Sequence, residues 1–383
     1  MLHRPQAQHG IVHRITDSLF PYHGWGSVCR DENGTLYAVA SAFRMQHICP
    51  FGKTAMFISR DGGVKWTPPI VLNDSYLDDR DAGIVYLGGG RLLVSWFAHP
   101  AEVYRTKLRG WMEAHSAEAV KPAVIGMLDA FGSLPEDKSQ GGSFLRISED
   151  YGVTWSDTIR IPVSAPHGPT LCADGTLLYL GKEMYAQSMS PTIPPDTIAA
   201  YASRDGGYTW ECRGLVEKPA ELAWRNLHEP HAIMLPDGTL YGLIRGEGKE
   251  VPFGFTMYET LSRDGGRSWS PLRCLGIAGS PPHLLRHSSG ALICSFGRRC
   301  DPLGERALVS LDNGASWTEE YVLDDNSSSA DLGYPCSVEM DDGSILTVYY
   351  QRWRDAQTGV SDPYCSLLYT RWRLEESSAV LLR

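Results

Sequence analysis

Ser59-Arg60-Asp61-Gly62-Gly63-Val64-Lys65-Trp66 is the first of five copies of one pattern, Ser-x-Asp-x-Gly-x-x-Trp; the others run from Ser148 to Trp155, Ser203 to Trp210, Ser262 to Trp269 and Ser310 to Trp317. A unit that returns every ~50–90 residues marks a repeat architecture of stacked or radially arranged supersecondary units. Each copy has a mechanical reading. The Asp side chain bonds backbone amides of its own turn, Gly supplies a positive φ, and the Trp is a large apolar plug that pins the turn to its sheet. One pattern serving five equivalent places reads as scaffold, not as a unique catalytic group.

A second repeat runs out of phase with the first. Apolar stretches flank a Gly turn from Ser27 to Tyr37, with Asn33-Gly34 at its tip, and again around Gly89-Gly90, Asp174-Gly175, Asp237-Gly238, Ser289-Gly290 and Asp342-Gly343. Such turns between β-rich arms are β-hairpins. Six hairpins and five staples predict an all-β chain: one six-bladed β-propeller domain spanning 1–383, each hairpin forming the inner two strands of a blade and each staple joining the outer two. The sixth blade has no staple, and its outer strands are expected from Tyr364 to Arg373 and from Gly10 to Thr16, pairing the two chain ends.

Composition agrees and narrows the function. The 39 Gly, 24 Pro and 11 Trp among 383 residues suit many short strands around a large core. A formal net charge of -10 with no basic stripe argues against nucleic acid as a partner. The N-terminus lacks an apolar leader core and no stretch reaches membrane-spanning length, so no membrane partner is expected. Nine Cys, an odd number, with Cys29, Cys172, Cys294 and Cys336 inside expected strands, read as reduced core residues. A cytoplasmic location is the expectation, or a secreted one if a signal peptide was trimmed. No Cys-x-x-Cys pair or metal-finger spacing appears, so neither a metal nor another cofactor is expected.

One segment breaks the repeat. Residues 101–141, within the second blade, contain Glu102 to Ala114 and Ala117 to Phe131, both helical by apolar spacing and Ala/Glu/Lys content. This insertion is a lid over the propeller mouth, a contact surface for a second copy of the chain, or a decorative pair of loops.

Counting places the site. In a propeller the innermost strands start at one rim of the central tunnel, and loops at such a rim carry chemistry. Nine residues before each hairpin Gly stand Trp25, Asp81 beside Arg80, Pro166 beside His167, Glu229, Pro281 near His283, and Tyr334. The return strands end at the same rim. They bring Arg44 with His47, His99, Lys182 with Glu183, Arg245, Arg298 with Arg299, and Tyr350. A structural ring would be monotonous, whereas this one is chemically diverse, as a single shared pocket requires.

The five staples resemble the Asp boxes of the sialidase (neuraminidase) superfamily, and the resemblance covers nearly the whole chain. The segment from Glu229 to Arg245 resembles the strand that carries the catalytic Glu of that family and an Arg of its substrate-carboxylate triad. Gly333-Tyr334-Pro335-Cys336-Ser337 resembles the strand with the nucleophilic Tyr. The resemblance implies a glycoside hydrolase acting on a terminal sugar, with Tyr334 as nucleophile and Glu229 as its base. Such a base is needed because a phenol of ordinary pKa near 10 is a poor nucleophile. Arg306 matches another triad position and Arg44 an Arg near the end of the first strand.

Two departures alter the expectation. Gly24-Trp25-Gly26-Ser27 stands where the family has Arg-Ile-Pro, and residues 45–58 lack the carboxylate that serves the family as general acid. Asp81, in Asp79-Arg80-Asp81, is the best substitute, with Arg80 holding that Asp or a substrate carboxylate; His47 and His167 are alternatives. Trp25 suits stacking on a sugar ring, and the His residues suit hydroxyl recognition. The expected catalytic residues are therefore Tyr334, Glu229 and Asp81. The expected carbohydrate-binding residues are Trp25, Arg44, His47, Asp79, Arg80, His167, Arg245, His283, Arg298 and Arg306. Two other classes stay open: a uronate lyase, in which Tyr334 or a His abstracts the proton and His167, His231 and His283 hold a metal, and a non-catalytic glycan-binding propeller.

Overall fold

Six antiparallel sheets arranged around an axis form the computed structural model, which describes residues 2–374 apart from 187–188, 190–192 and 318–319. Blade 1 runs outward from Tyr22–Arg30 through Leu36–Arg44 and Lys53–Ser59 to Ile70–Asn73. Blades 2, 4 and 5 repeat this order, starting at Asp79–Gly88, Leu227–Met234 and Pro282–Arg286. In blade 3 the innermost position is split between Val163–Ser164 and Thr170–Leu171, both paired with Leu177–Glu183. Blade 6 closes the ring: Gly333–Glu339, Ile345–Arg354 and Ser361–Trp372 are followed on the outside by Ala7–His13 from the other end of the chain.

The staples join the third and fourth strands of blades 1 to 5. In the first copy Ser59 Oγ donates to Asp61 Oδ1 at 2.9 Å, while the amides of Gly63 and Lys65 donate to Ser59 Oγ and Asp61 Oδ1. Trp66 Nε1 caps the turn on the Gly63 carbonyl at 2.9 Å. Its indole packs on the apolar layer shared by blades 6 and 1, where Val28, Ala38, Leu346 and Val348 meet. Equivalent layers fill every other blade junction, so burial is spread around the ring and closing it leaves no blade with an uncovered apolar face.

The helical insertion lies between the second and third strands of blade 2. Helical turns cover 101–115, Lys121–Ala130 and Glu136–Ser139. Residues 117–120 are not helical, and the second helix starts at Lys121 with Pro122 in its first turn, where a missing amide costs nothing. The insertion's buried face, formed by Tyr104, Met112, Val124, Leu128 and Phe131, packs on Met45, Cys49, Leu77 and Ala98 beside blades 1 and 2.

Candidate active site

The rim is built by a repeated backbone device. Trp25, Asp81, Glu229 and Tyr334 all have positive φ, from 47° to 54°, on the innermost strands of blades 1, 2, 4 and 6. Pairing with the second strand skips here, between Gly24 and Ser27, Arg80 and Gly83, His228 and His231, and Gly333 and Cys336. Each is a β-bulge that re-aims one side chain toward the axis. A non-glycine residue held at positive φ costs on the order of 1 kcal/mol or more, and such strain collects at functional sites. Pro230 and Pro335 follow two of these residues, and a bulge tolerates the missing amide.

A cavity of about 390 Å³ opens above these bulges, lined by Trp25, His47, Arg80, Asp81, His99, Lys182, Glu229, Arg245, Glu247, Arg299 and Tyr334, among others. At its centre the Tyr334 hydroxyl donates a short hydrogen bond to Glu229 Oε1. Arg245 Nη1 donates to Glu229 Oε2 at 2.6 Å and to the Tyr334 oxygen at 3.1 Å, and its Nη2 donates to Glu247 Oε2 at 2.7 Å. Burial alone would raise the Glu229 carboxyl, but the Arg245 charge and the Tyr334 hydrogen bond outweigh it and hold Glu229 below its ordinary value. Burial, with the Glu229 and Asp81 charges, drives the Tyr334 phenol well above its usual value. The resting pair is thus a neutral phenol on an ionised carboxylate.

Asp81 has the opposite character. Burial lifts it to about 7, with the Glu229 charge adding to the rise and Arg80 opposing it. Its Oδ1 is buried without a protein partner among the described residues. Two carboxyls in one cavity, one held ionised and one that exchanges its proton near neutrality, have the division of roles that acid–base catalysis needs.

The wall behind Asp81 rests on a residue that sequence reasoning missed. Asp78, fully buried, takes both guanidinium nitrogens of Arg44, Arg80 Nη1 at 3.3 Å, the Gly52 amide at 3.0 Å and the Tyr104 hydroxyl at 2.6 Å. The Trp25 indole packs against Arg44 and Arg80, whose guanidinium carbons lie 4.7 and 4.3 Å from its ring centre. At 1 % exposure it offers no open face for sugar stacking, which corrects that expectation; Arg80 lies over it instead. Tyr104 also shows what the insertion does here. Among the described residues none from 101–141 lines the cavity, and through Tyr104 the insertion buttresses Asp78 behind Arg80.

Trp25, His47, Arg80, Asp81, Glu229, Arg245 and Tyr334 come together at the cavity; six other expected residues lie away from it. Arg44 is spent on Asp78 behind Trp25. Asp79 turns to Asn73 and Ser75 at 2.8 and 2.7 Å. Arg298 pairs with Glu320 at 3.0 Å, while its neighbour Arg299 enters the cavity. Arg306, on the third strand of blade 5, is buried against the carbonyls of Glu305, Asp324 and Pro302.

His167 and His283 lie deeper in the tunnel, in contact with His231. Innermost strands expose backbone groups to the tunnel, and side chains from the preceding blade cover them. His231 Nδ1 accepts the Leu284 amide at 2.9 Å, His283 Nδ1 accepts the Ser337 amide at 3.3 Å, and Cys336 donates to the Val28 carbonyl at 3.4 Å. Those two bonds place the remaining imidazole proton on Nε2, leaving no lone pair there for a metal. Among the described residues no group of three or more His, Cys, Asp or Glu is placed to hold a metal ion. Among the described residues no helix is long and apolar enough to cross a membrane.

The comparisons with known proteins agree with this architecture. The family described as the BNR repeat-like domain matches residues 131–348, more than half of the chain. None of the curated proteins compared matches it. Among solved structures, a protein of unknown function from Dyadobacter fermentans superposes with a TM-score of 0.72 at 20 % identity, covering 96 % of this chain and 99 % of that one. The NanB sialidase of Streptococcus pneumoniae superposes at 0.68 with 14 % identity over 95 % of this chain and 70 % of that one. An alpha-L-arabinanase from Penicillium chrysogenum, complexed with arabinobiose, gives 0.56 at 16 % identity over 95 % and 98 %. The chain belongs to the BNR repeat-like family, with the six-bladed fold of the sialidase-like propeller glycoside hydrolases.

Proposed function

We propose that the protein is a retaining glycoside hydrolase that removes a terminal acidic sugar. The observation that carries the reading is the Tyr334 hydroxyl bonded to the ionised Glu229, with Arg245 holding both and Asp81 protonated in the same cavity. As the Tyr334 oxygen bonds to the anomeric carbon, its proton passes to Glu229, and Asp81 gives its proton to the departing oxygen. Water then attacks the glycosyl–Tyr334 bond, losing its proton to Asp81, while Glu229 returns the proton to the Tyr334 oxygen. A neutral phenol suits an anomeric centre that bears an anionic group, where a carboxylate nucleophile would be repelled.

Arg299 supports an acidic substrate. Arg80 and Arg245 both pair with carboxylates, but among the described residues Arg299 has no carboxylate partner and meets only the Tyr350 hydroxyl at 3.3 Å and the rings of Tyr334 and Phe255. A half-buried guanidinium in a cavity, with no carboxylate in ion-pair contact among the described residues, favours an anionic ligand.

The test is a panel of 4-methylumbelliferyl glycosides: N-acetylneuraminide, glucuronide, galacturonide and arabinofuranoside. Hydrolysis of an acidic member, abolished in Tyr334→Phe and Glu229→Ala, supports the reading. Full activity in both variants refutes the pair, and an unsaturated, ultraviolet-absorbing product would replace hydrolysis by elimination.

A further inference from the structure

His47 stands on the cavity wall beside Trp25, with ring centres 4.9 Å apart. Its Nδ1 lies 2.9 Å from Asp331 Oδ1 and 3.1 Å from the Tyr22 oxygen. The same carboxylate oxygen accepts the Tyr22 hydroxyl at 3.0 Å and the Tyr350 hydroxyl at 3.1 Å, and the Tyr350 oxygen in turn accepts from Arg299. Despite burial, these bonds and the His47 ring hold Asp331 at about 2, so it is ionised and can only accept. The His47 proton is therefore on Nδ1. Burial and the charges of Arg80 and Arg299 outweigh Asp331 and keep the ring neutral. This leaves a lone pair on Nε2, with no protein partner among the described residues, on a side chain that keeps 37 % exposure.

Resting on the glycosidase reading above, we propose that His47 is a specificity-determining acceptor. Its Nε2 takes a hydrogen bond from a hydroxyl of the same sugar whose anionic group Arg299 holds. Asp331 is the positioning residue for both: it fixes the His47 tautomer directly and orients Arg299 through Tyr350. The site therefore selects an acidic sugar with a free hydroxyl on the His47 side and discriminates against the deoxy or O-methylated form. An unmet acceptor in a desolvated site is what gives such discrimination its size, here roughly tenfold.

The experiment uses the full chain labelled with ¹⁵N-histidine, titrated with D-glucuronic acid, N-acetylneuraminic acid and their 4-deoxy and 4-O-methyl forms. The expected result is an Nδ1–H tautomer at His47, an Nε2 resonance that shifts with at least one parent sugar, and roughly tenfold weaker binding of its deoxy form. His47→Phe should equalise the pair, His47→Gln, whose amide oxygen accepts, should restore part of the preference, and Asp331→Asn should mix the tautomers. A proton on Nε2, no shift at Nε2 with any sugar, or equal binding of parent and deoxy forms overturns the proposal. Selective binding without turnover of any aryl glycoside would sink the catalytic reading alone; turnover with equal binding would sink this one alone.

Discussion

Asp81→Asn is the most informative perturbation, because one buried carboxyl is asked to set a rate, a pH limb and part of the stability curve. Lifting a carboxyl from its ordinary value near 3.9 to about 7 corresponds to about 4 kcal/mol of preference for the protonated form. The protonated fraction falls about tenfold for each pH unit above 7, and kcat/KM should fall with it. On the acid side, Glu229 is held below its ordinary value, so activity is lost only as the pH drops into the acid range where Glu229 takes its proton. The asparagine variant cannot donate the proton. It should lose ~10²- to 10⁴-fold on glycosides with poor leaving groups, lose less on aryl glycosides, and have no alkaline limb near pH 7. Stability should move the other way. The folded pKa lies above the unfolded one, so the contribution is fully present below about pH 4 and is lost as the pH rises through about 7. Thermal melts of the native chain should weaken from pH 5 to 8, and the variant should flatten part of that slope. Asp79 is also lifted to about 7 by burial but lies outside the cavity, so Asp79→Asn should change the melts and not the pH–rate profile. A variant that keeps the alkaline limb and loses little activity on a poor leaving group refutes Asp81 as the acid.

Three further outcomes follow from the same contacts. Arg299→Ala should raise KM for an acidic glycoside by ~10- to 100-fold with a smaller change in kcat, while neutral glycosides are affected little; steady-state kinetics on the matched pair decides this. Tyr104→Phe takes one of the donors from buried Asp78 and should cost about 1–2 kcal/mol in urea unfolding, with a KM increase traceable to a less firmly held Arg80. Trp66→Ala empties a plug between blades 6 and 1 and should cost about 3 kcal/mol with kcat unchanged, because the staples lie away from the rim.

The repeat was legible because the turn chemistry of each staple and hairpin is local. The same locality made the rim countable: the bulged residue sits nine positions before the turn Gly in blades 1, 2, 4 and 6, so Trp25, Asp81, Glu229 and Tyr334 could be found without coordinates. Arg299 escaped selection because strand residues alternate faces, and a one-residue ambiguity at a strand end exchanges it with Arg298. Arg306 matched by position but sits on a third strand, buried against backbone carbonyls of its own blade. His167 and His283 lie at the right blades but below the rim, a depth that spacing alone does not give. Asp78, Tyr104 and Asp331 owe their roles to partners distant in sequence: Tyr104 is 26 residues from Asp78, and His47 is 284 residues from Asp331. The polar run Asp78-Asp79-Arg80-Asp81 was the available signal for the first of them.

The central claim is that the Tyr334 oxygen forms the bond to the sugar. A fluorinated acidic glycosyl fluoride, which slows breakdown of a covalent intermediate, can be incubated with the native chain and followed by intact mass and peptide mapping. The account predicts a single glycosyl adduct on the peptide containing Tyr334, absent in Tyr334→Phe. An adduct on Glu229 or Asp81 in active enzyme, or an undiminished adduct in the phenylalanine variant, would contradict it.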